Sequence, residues 1–234
     1  MAGSGELARY PRPSVAVDVA LFTVTDAGLG VVLVRRDREP LRGTWALPGT
    51  ILRIDETLDG AAVRVLEQKA GLSGYYLDQL GAFGDLDRDP RGLVISVAYV
   101  ALARLVTPPG PGSIVATVEG DRPTALTLRM PDGPAVAPAF DHGAMIAAAV
   151  ARMRGELWHQ PLACSLLTGS FTLAQLRTVY EAILGSRVNK DSFRRRILAS
   201  DLIEPTGERM TAVGHRPPAL YRQRAADRSR GDPS

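Results

Sequence analysis

The fold is decided by the stretch LPGTILRIDETLDGAAVRVLEQKAGL, residues 47–72, in which a loop with proline and glycine leads into a helical pattern. Apolar residues recur there at spacings of three and four, which predicts an amphipathic helix over residues 55–70, with Thr57 as an alternative N-cap to Asp55. Gly71 stands where the glycine that ends a helix is expected. The stretch therefore predicts a loop followed by one well-defined helix.

Strand patterns lie on both sides of this helix. Residues 15–24 and 31–35 are rich in valine and are separated by a glycine turn, which predicts two strands. Residues 93–106 form a long, nearly continuous apolar run, typical of a strand that is buried on both faces. A further strand is expected over residues 124–129, and a helix over residues 141–154. The first part of the chain is therefore predicted to be α/β.

The composition and charge of the chain change near residue 155. Residues 1–150 hold 14 Arg and Lys against 17 Asp and Glu, a net charge of −3, whereas residues 151–234 hold 14 against 8, a net charge of +6. This asymmetry indicates either a basic module that meets a polyanion or a solvated basic surface, and charge alone does not decide between them. We expect a domain boundary between residues 154 and 155, and a polar, disordered tail over residues 225–234.

The composition excludes several classes of protein. Hydrophobic residues make up 45% of the chain and charged residues 23%, values that exclude global disorder. The longest apolar run is well short of the roughly 18–20 residues that cross a bilayer, and the N-terminus lacks the apolar segment of a secretory signal. With one cysteine, Cys164, an internal disulfide is impossible. We therefore expect a reduced, cytoplasmic protein that does not contact membranes.

The stretch quoted above resembles the Nudix box, whose pattern is G-x5-E-x7-R-E-U-x-E-E-x-G-U, where U is an aliphatic residue. Aligned on Gly71, the pattern places its first Glu on Glu56 and its Arg on Arg64, and the preceding WALPG strengthens the match. The opening glycine of the pattern falls on Thr50. In the family the Glu and Arg form a structural ion pair, so the resemblance implies that role for Glu56 and Arg64.

Three carboxylates of the family pattern are missing from this helix, because Val65, Gln68 and Lys69 stand in their places. Residues at such spacings share one helix face, where three carboxylates would bind hard divalent cations that neutralise a diphosphate. Val65 has no ligand atom, Gln68 offers a neutral carbonyl and Lys69 repels a metal ion. We therefore expect no catalytic residues, no metal site and no cofactor, and a domain that binds a nucleotide diphosphate without cleaving it.

Residues near the box are candidates for binding the diphosphate. Guanidinium groups suit this ligand because they stay charged and donate bidentate hydrogen bonds. Lys69 lies on the face where metal ligands would have been, so its charge could partly replace the metal ion. Each candidate could equally be a surface or structural residue. The candidates for ligand binding are Arg35, Arg36, Trp45, Gly49, Lys69, Arg88 and Arg91.

The second half of the chain contains a helix-turn-helix pattern. The sequence FTLAQLRTVYEAILGSRVNKDSFRRRILASDLI, residues 171–203, predicts two helices around a turn that contains glycine. The glycines and prolines over residues 203–222 can then supply a hairpin wing. Any helical hairpin can mimic this pattern, and an arginine run is often only a solvated face. The net positive charge of this half is therefore the stronger argument for DNA binding.

A helical projection of the second helix separates an apolar and a basic face. Phe193, Ile197 and Leu198 cluster on one side, whereas Arg195 and Arg196 face the other way. A face of small residues and arginines suits the major groove of DNA, where arginine reaches phosphates or guanine edges. The residues expected to contact DNA are Arg187, Lys190, Ser192, Arg194, Arg195, Arg196 and Arg216, the last near the tip of the wing.

A degenerate Nudix box followed by a basic winged helix resembles the Nudix-related transcriptional regulators of NAD metabolism (NrtR-like). The resemblance covers about residues 12–224 and includes WALPG, RDPRG, AFDH and FRRRIL. It implies an α+β fold, with a Nudix-like α/β/α sandwich around a mixed sheet over residues 1–154. This ligand-sensing domain would be followed by a winged helix-turn-helix domain over residues 155–224.

The same resemblance implies a function and a set of partners. The protein would be a dimeric repressor of NAD biosynthesis or salvage genes that binds a palindromic operator in double-stranded DNA. ADP-ribose would be the effector that releases it.

Two other functions stay open at this point. One is an active Nudix-type nucleoside-diphosphate hydrolase with a helical accessory domain, which the missing carboxylates argue against. The other is an ADP-ribose-binding module whose basic domain holds a protein partner. A magnesium-dependent assay distinguishes the hydrolase from a regulator, and a salt titration of duplex binding distinguishes the protein-binding module.

Overall fold

The computed structural model of the protein describes residues 10–68, the backbone of residues 69 and 70, and residues 75–105, 110–131, 133–210 and 217–224. Three of the predicted site positions are affected. Gly71, Arg216 and the side chain of Lys69 lie outside the described residues, as does the tail expected over residues 225–234.

A mixed sheet of nine strands, counted over the described residues, forms the centre of the first part of the chain. The strands are β1 (Ser14–Thr25), β2 (Gly28–Arg35), β3 (Trp45–Ala46), β4 (Gly49–Ile51), β5 (Tyr76–Phe83), β6 (Val94–Leu102), β7 (Ser113–Glu119), β8 (Thr127–Arg129) and β9 (Ala135–Val136). Their order is β5-β6-β1-β2-β7-β8-β9, with β3 paired to β2 and β4 paired to β1. β1 runs parallel to β6 and antiparallel to β2 and β4, which makes the sheet mixed.

Helices cover both faces of this sheet. The helices of the described chain are α1 (Leu58–Ala70), α2 (His142–Glu156), α3 (Leu173–Leu184) and α4 (Lys190–Leu198). Because side chains alternate along a strand, β1 serves two cores: Val17 and Val19 pack with α1, whereas Ala20 and Phe22 pack with α2. The predicted α/β/α sandwich with a mixed sheet is confirmed.

The second part of the chain is a winged helix, as predicted. α3 and α4 are followed by an antiparallel hairpin of β10 (Ile203–Arg209) and β11 (Ala219–Gln223). Phe171 and Tyr221 exchange two backbone hydrogen bonds of 2.8 Å, which tie the start of α3 to the wing. Phe193 and Ile197 are the buried residues of α4.

Several elements differ in detail from the sequence prediction. Of the strand expected over residues 124–129, only Thr127–Arg129 is a strand, because Pro123–Ala125 forms a turn of 3-10 helix. α1 begins at Leu58, as expected with Thr57 as the N-cap: Oγ1 of Thr57 accepts a hydrogen bond from the backbone N–H of Gly60 at 3.0 Å, and Glu56 accepts one from the backbone N–H of Arg53 at 2.7 Å in the loop before the helix. β7 was not expected, because its seven residues follow a segment rich in proline and glycine that reads as a loop.

The two parts of the chain share one core. Buried residues of the sheet, α2, α3 and α4 form a continuous apolar cluster. The boundary expected between residues 154 and 155 falls in the last turn of α2, so the exact division into domains stays a prediction. In the part of the chain that the structure describes, no helix is both long and apolar enough to span a bilayer.

The cap of α4 generates a prediction about stability. The side-chain oxygen of Asn189 accepts hydrogen bonds from the backbone N–H groups of Asp191 and Ser192, at 3.1 and 3.0 Å. Asn189→Ala removes this acceptor and should lower the free energy of unfolding by about 1 kcal/mol, measured by chemical denaturation. Asn189→Asp keeps an accepting oxygen and should retain most of the stability. Equal stability of the parent and the alanine variant would contradict the capping role.

Candidate functional site

An ion pair holds the loop that precedes α1. Nε and Nη2 of Arg64 donate hydrogen bonds to the two carboxylate oxygens of Glu56, at 2.9 and 2.5 Å. Arg64 also donates to Oγ1 of Thr50 at 3.1 Å and to the carbonyl oxygen of Ile51 at 3.5 Å. The hydrogen bonds that Arg64 donates to Glu56 lower the pKa of Glu56 and raise the pKa of Arg64. Both groups therefore stay charged. This is the ion-pair geometry that the Nudix resemblance implies.

The helix face of the box does not fit a divalent cation. Val65 is 2% exposed and packs against the sheet, and Glu67 and Gln68 are exposed. Within the described ranges, no three His, Cys, Asp or Glu side chains come together in a group that could hold a metal ion. Hard cations need several oxygen ligands, which the described side chains of α1 do not provide.

A cleft of about 240 Å³ lies beside this loop, between the edge of the sheet and the start of α2. Thr50 and Ile51, which Arg64 holds, form part of its wall. Five of the predicted ligand residues also line it, namely Arg35, Arg36, Gly49, Arg88 and Arg91. Trp45 is half-buried and packs against the apolar core instead.

Two of the cleft arginines already pair with carboxylates. Arg88 is 8% exposed and donates to both oxygens of Asp141, at 2.9 and 2.7 Å. Arg91 donates to both oxygens of Asp89, at 3.0 and 2.6 Å, and its hydrogen bonds lower the pKa of that carboxyl. Both pairs therefore fix the loop between β5 and β6, and their charges are largely balanced within the cleft.

Arg35 and Arg36 differ from these two because their hydrogen bonds go to backbone carbonyl oxygens. Nε of Arg35 donates to Gly43 at 3.2 Å, and Nε of Arg36 donates to Pro40 at 2.9 Å. In the described part of the chain neither forms an ion pair with a carboxylate. The guanidinium of Arg36 also lies 4.7 Å from the ring centroid of Phe140. These two guanidinium groups are therefore not neutralised by a direct contact with a carboxylate.

A buried polar cluster forms the floor of the cleft. Oδ2 of Asp18 accepts a hydrogen bond from the hydroxyl of Ser96 at 2.5 Å and lies 3.7 Å from Nε2 of His142. Nδ1 of His142 accepts from the backbone N–H of Leu47 at 2.9 Å, so the neutral ring carries its proton on Nε2. Burial lowers the pKa of His142, against the opposite effect of Asp18 and Asp141, and favours the neutral ring.

Gly49 has a steric reason to be glycine. A Cβ atom at this position would lie 1.9 Å from Oδ1 of Asp18, far inside a normal contact distance. The close pairing of Gly49 with Asp18, between β4 and β1, therefore leaves no room for a side chain. This structural role accounts for the glycine that the sequence analysis assigned to ligand binding.

Sequence reasoning did not include Asp18 and Phe140 among the candidate site residues, and for His142 it left open a role at the helix start or in a cleft. The available signals were a single carboxylate inside an apolar strand and the AFDH motif at residues 139–142. Asp141 was expected to begin a helix, and it does precede α2, but its side chain pairs with Arg88 and does not cap the helix.

The basic face of α4 is exposed. Arg194, Arg195, Ser192 and Lys190 are all exposed, and Phe193 faces the core. The arrangement is that of a recognition helix, whose outward side chains can reach base edges and phosphates. Arg187, in the turn before α4, is also exposed, and its guanidinium lies 3.3 Å from Glu181.

Arg196 is exposed, as the helical projection predicts, but its guanidinium does not point freely away from the apolar face. Its guanidinium stacks over the ring of Trp158, 3.9 Å from the centroid. The projection counted Leu198 in the apolar face, but Leu198 is 43% exposed. The buried face is therefore centred between Phe193 and Ile197, which leaves Arg196 at its edge and Arg195 opposite to it.

The pKa of His142 generates a prediction about pH. Because burial holds this pKa below the 6.5 of an unperturbed histidine, the unfolded chain binds more protons once the pH falls below 6.5. The stability contributed by the neutral ring is present above pH 6.5 and is lost as the pH falls through the pKa of the folded protein. His142→Gln can still accept a hydrogen bond from Leu47 but does not titrate, so its free energy of unfolding should depend less on pH.

Denaturant titrations between about pH 5 and pH 7 measure this difference in slope. An identical pH dependence of the parent and His142→Gln would contradict the assignment of a neutral, buried ring.

Two family models match the chain, and they cover both parts of it. The NUDIX domain matches residues 13–124, and the NrtR DNA-binding winged helix domain matches residues 163–223.

Relatives with the same two parts are found among curated proteins and solved structures. The chain is 35% identical over 220 residues to the ADPR responsive transcriptional repressor NtrR of Acinetobacter baylyi, a match that covers 91% of this chain and 83% of the relative. The crystal structure of NrtR of Shewanella oneidensis complexed with a 27mer DNA is 31% identical, with a TM-score of 0.73, and the match covers 90% of this chain and 93% of that one.

An enzyme is similar to the first part alone. The ADP-ribose pyrophosphatase of Methanocaldococcus jannaschii is 35% identical over 91 residues, which cover 39% of this chain and 52% of the enzyme. The repressor, in contrast, matches the sheet, α2 and the winged helix together. The chain therefore belongs to the NrtR family of Nudix-related transcriptional regulators.

Proposed function

We propose that this protein is a transcriptional repressor of NAD biosynthesis or salvage genes whose DNA binding responds to ADP-ribose. The observation that carries the proposal is a cleft lined by Arg35 and Arg36, which form no ion pair within the described residues, in a molecule whose sheet shares one apolar core with a basic winged helix. The relative from Acinetobacter baylyi is named for its response to ADPR, and the one from Shewanella oneidensis was crystallised with DNA. Such a regulator would act in the cytoplasm, where it meets DNA.

The cleft suits a nucleotide diphosphate for reasons of charge and shape. Arg35 and Arg36 can turn their remaining N–H groups towards phosphate oxygens, and guanidinium groups bind such oxygens bidentately. Arg88 and Arg91 support the cleft mainly by ordering its walls through Asp141 and Asp89. Lys69 is proposed to place a positive charge beside the diphosphate and so to replace part of the charge of the missing metal ion.

The same domain is proposed to bind its ligand without hydrolysing it. The Glu56–Arg64 pair, which shapes the loop, is retained, whereas Val65 and Gln68 replace carboxylates and Val65 is buried in the core. Activation of water for diphosphate cleavage needs a bound cation, and α1 has lost the oxygen ligands that would hold one.

On DNA, the protein is proposed to act as a two-fold symmetric dimer on a palindromic operator. One recognition helix contacts only a few base pairs, and a second helix about one helical turn away greatly increases discrimination. The half-sites are then expected at about 10 base pairs, or a multiple of it, from centre to centre.

The first prediction from this function concerns catalysis. The protein should bind ADP-ribose in calorimetry but release no AMP from it in the presence of magnesium or manganese. Measuring binding on the same sample ensures that absent turnover does not reflect an absent ligand. Metal-dependent turnover at about 1 per second or faster, an ordinary enzyme rate, would instead favour the hydrolase suggested by the similarity to the pyrophosphatase.

A second prediction concerns the recognition helix. On a duplex that the parent protein selects from a random pool, Arg195→Ala should weaken binding more than Arg196→Ala, because Arg196 rests on Trp158. If Arg195 reads a guanine, its loss should cost roughly 1–3 kcal/mol and relax specificity at one position. If it contacts phosphate, all duplexes should weaken alike and the salt slope should fall by about one.

Arg38→Ala is a matched control, because this arginine is also exposed but lines the cleft and does not belong to α4. A folded Arg195→Ala variant that binds the selected duplex like the parent would show that the basic half serves another partner.

A further inference from the structure

α2 reaches from the cleft to the winged helix. At its start, Phe140 and His142 line the cleft. Just beyond its end, the carbonyl oxygen of Leu157 accepts a hydrogen bond from the hydroxyl of Tyr180, on α3, at 2.9 Å. One helix of 15 residues therefore contacts both functional regions of the molecule.

Arg154, in the last turn of α2, joins three segments of the chain. Its Nε donates to the carbonyl oxygen of Ile183, in the last turn of α3, at 2.8 Å. Its Nη1 and Nη2 donate to the carbonyl oxygens of Asp121 and Gly120, each at 2.8 Å, in the loop between β7 and β8. Through three hydrogen bonds, the planar guanidinium thus links α2 both to α3 and to the loop of the sheet.

The packing around this guanidinium is tight at the end of α3. Gly185, with φ of 71°, ends the helix in the left-handed region. A Cβ atom on Gly185 would lie 3.0 Å from Nη2 of Arg154 and 3.0 Å from the carbonyl oxygen of Gly120. The three segments therefore meet at one fixed spacing.

The charge of Arg154 is also placed to favour this contact. In the described part of the chain it forms no ion pair with a carboxylate, and burial lowers its pKa. Its positive charge meets backbone carbonyls at the C-terminal end of α3, where the helix dipole favours a cation. The half-buried guanidinium of Arg154 is therefore stabilised by backbone carbonyl oxygens and not by a carboxylate.

We propose that Arg154 couples the cleft to the recognition helix by locking α3 to α2, so that a shift of α2 on ligand binding moves the winged helix as one body. The proposal rests on the proposed function, because it concerns the response to ADP-ribose. The guanidinium of Arg36 lies over the ring of Phe140, two residues before α2. A ligand bound to Arg36 therefore acts next to the start of this helix. A packed helix such as α2 moves as a rigid body, so its displacement reaches α3 as long as the contact between Arg154 and α3 is kept.

The test compares Arg154→Ala with Arg152→Ala. Arg152 lies two residues earlier on α2, but its side chain binds Glu156, the carbonyl oxygen of Gln79 and the carboxylate of Asp78, all outside the winged helix. Arg154→Lys is a third variant, because it keeps the charge but cannot present the planar fork that reaches three carbonyls. Circular dichroism and thermal unfolding confirm that each variant is folded.

Two affinities are measured for each protein, by calorimetry and fluorescence anisotropy. The affinity for ADP-ribose is measured with and without the selected duplex. The affinity for the duplex is measured with and without ADP-ribose. By linkage, each ligand must change the affinity for the other by the same factor, typically about 5–150-fold. In Arg154→Ala this factor should fall to within about twofold of unity, while ADP-ribose binding without DNA stays as in the parent. Arg154→Lys should lie near Arg154→Ala, and Arg152→Ala near the parent.

The outcomes separate this inference from the proposed function. A responsive parent whose Arg154→Ala variant shows the same coupling factor overturns the inference and leaves the proposed function intact. An equal loss of coupling in Arg152→Ala also overturns it, because the contact with the winged helix would then not be the cause. A parent that binds the duplex with the same affinity with and without ADP-ribose overturns the proposed function, and the coupling role of Arg154 with it.

Discussion

The buried carboxylate of Asp18 is the constraint on which the arrangement of the cleft depends. A charged group inside an apolar strand is costly unless it is hydrogen-bonded, and Ser96 and His142 provide the polar surroundings that make its burial tolerable. The same carboxylate excludes any side chain at Gly49, which brings β4 close to β1. The loop, the central strands and the start of α2 are therefore positioned by one group, and the cleft lies where they meet.

The side chains that shape the loop before α1 differ from those at the positions where the Nudix pattern has its helical carboxylates. The contacts that shape the loop, from Arg64 to Glu56 and Thr50, are made by side chains that stand apart from the lost carboxylate positions of α1. Those positions can change with little effect on the loop, because Val65 gains burial in the core and Gln68 stays in solvent. A binding scaffold of this kind can serve as a sensor, since a sensor must release its ligand unchanged.

The sequence predicted the elements with strong periodicity and the two-part organisation, but it predicted contacts less well. The valine-rich pattern of β1 and the helical period of α1 are local signals, and both elements are present in the structure. The partners of Arg88 and Arg91 are set by the loop between β5 and β6 and by α2, which no local pattern reveals. The contact of Arg196 was missed for a related reason, because Trp158 lies on another element of the chain and hydropathy alone assigned Leu198 to the core.

The contact of Arg154 has a consequence for how such regulators could diversify. All three of its acceptors are backbone carbonyls, of Gly120, Asp121 and Ile183, so the contact is specified by the path of the chain and not by the identity of the side chains it touches. Side chains at Asp121 and Ile183 can be exchanged without removing an acceptor. A chimera that joins this sensor to a different winged helix can therefore keep this one contact if it preserves the backbone geometry at the end of α3 and the glycine at position 185, whereas the shared apolar core also has to match in its side chains.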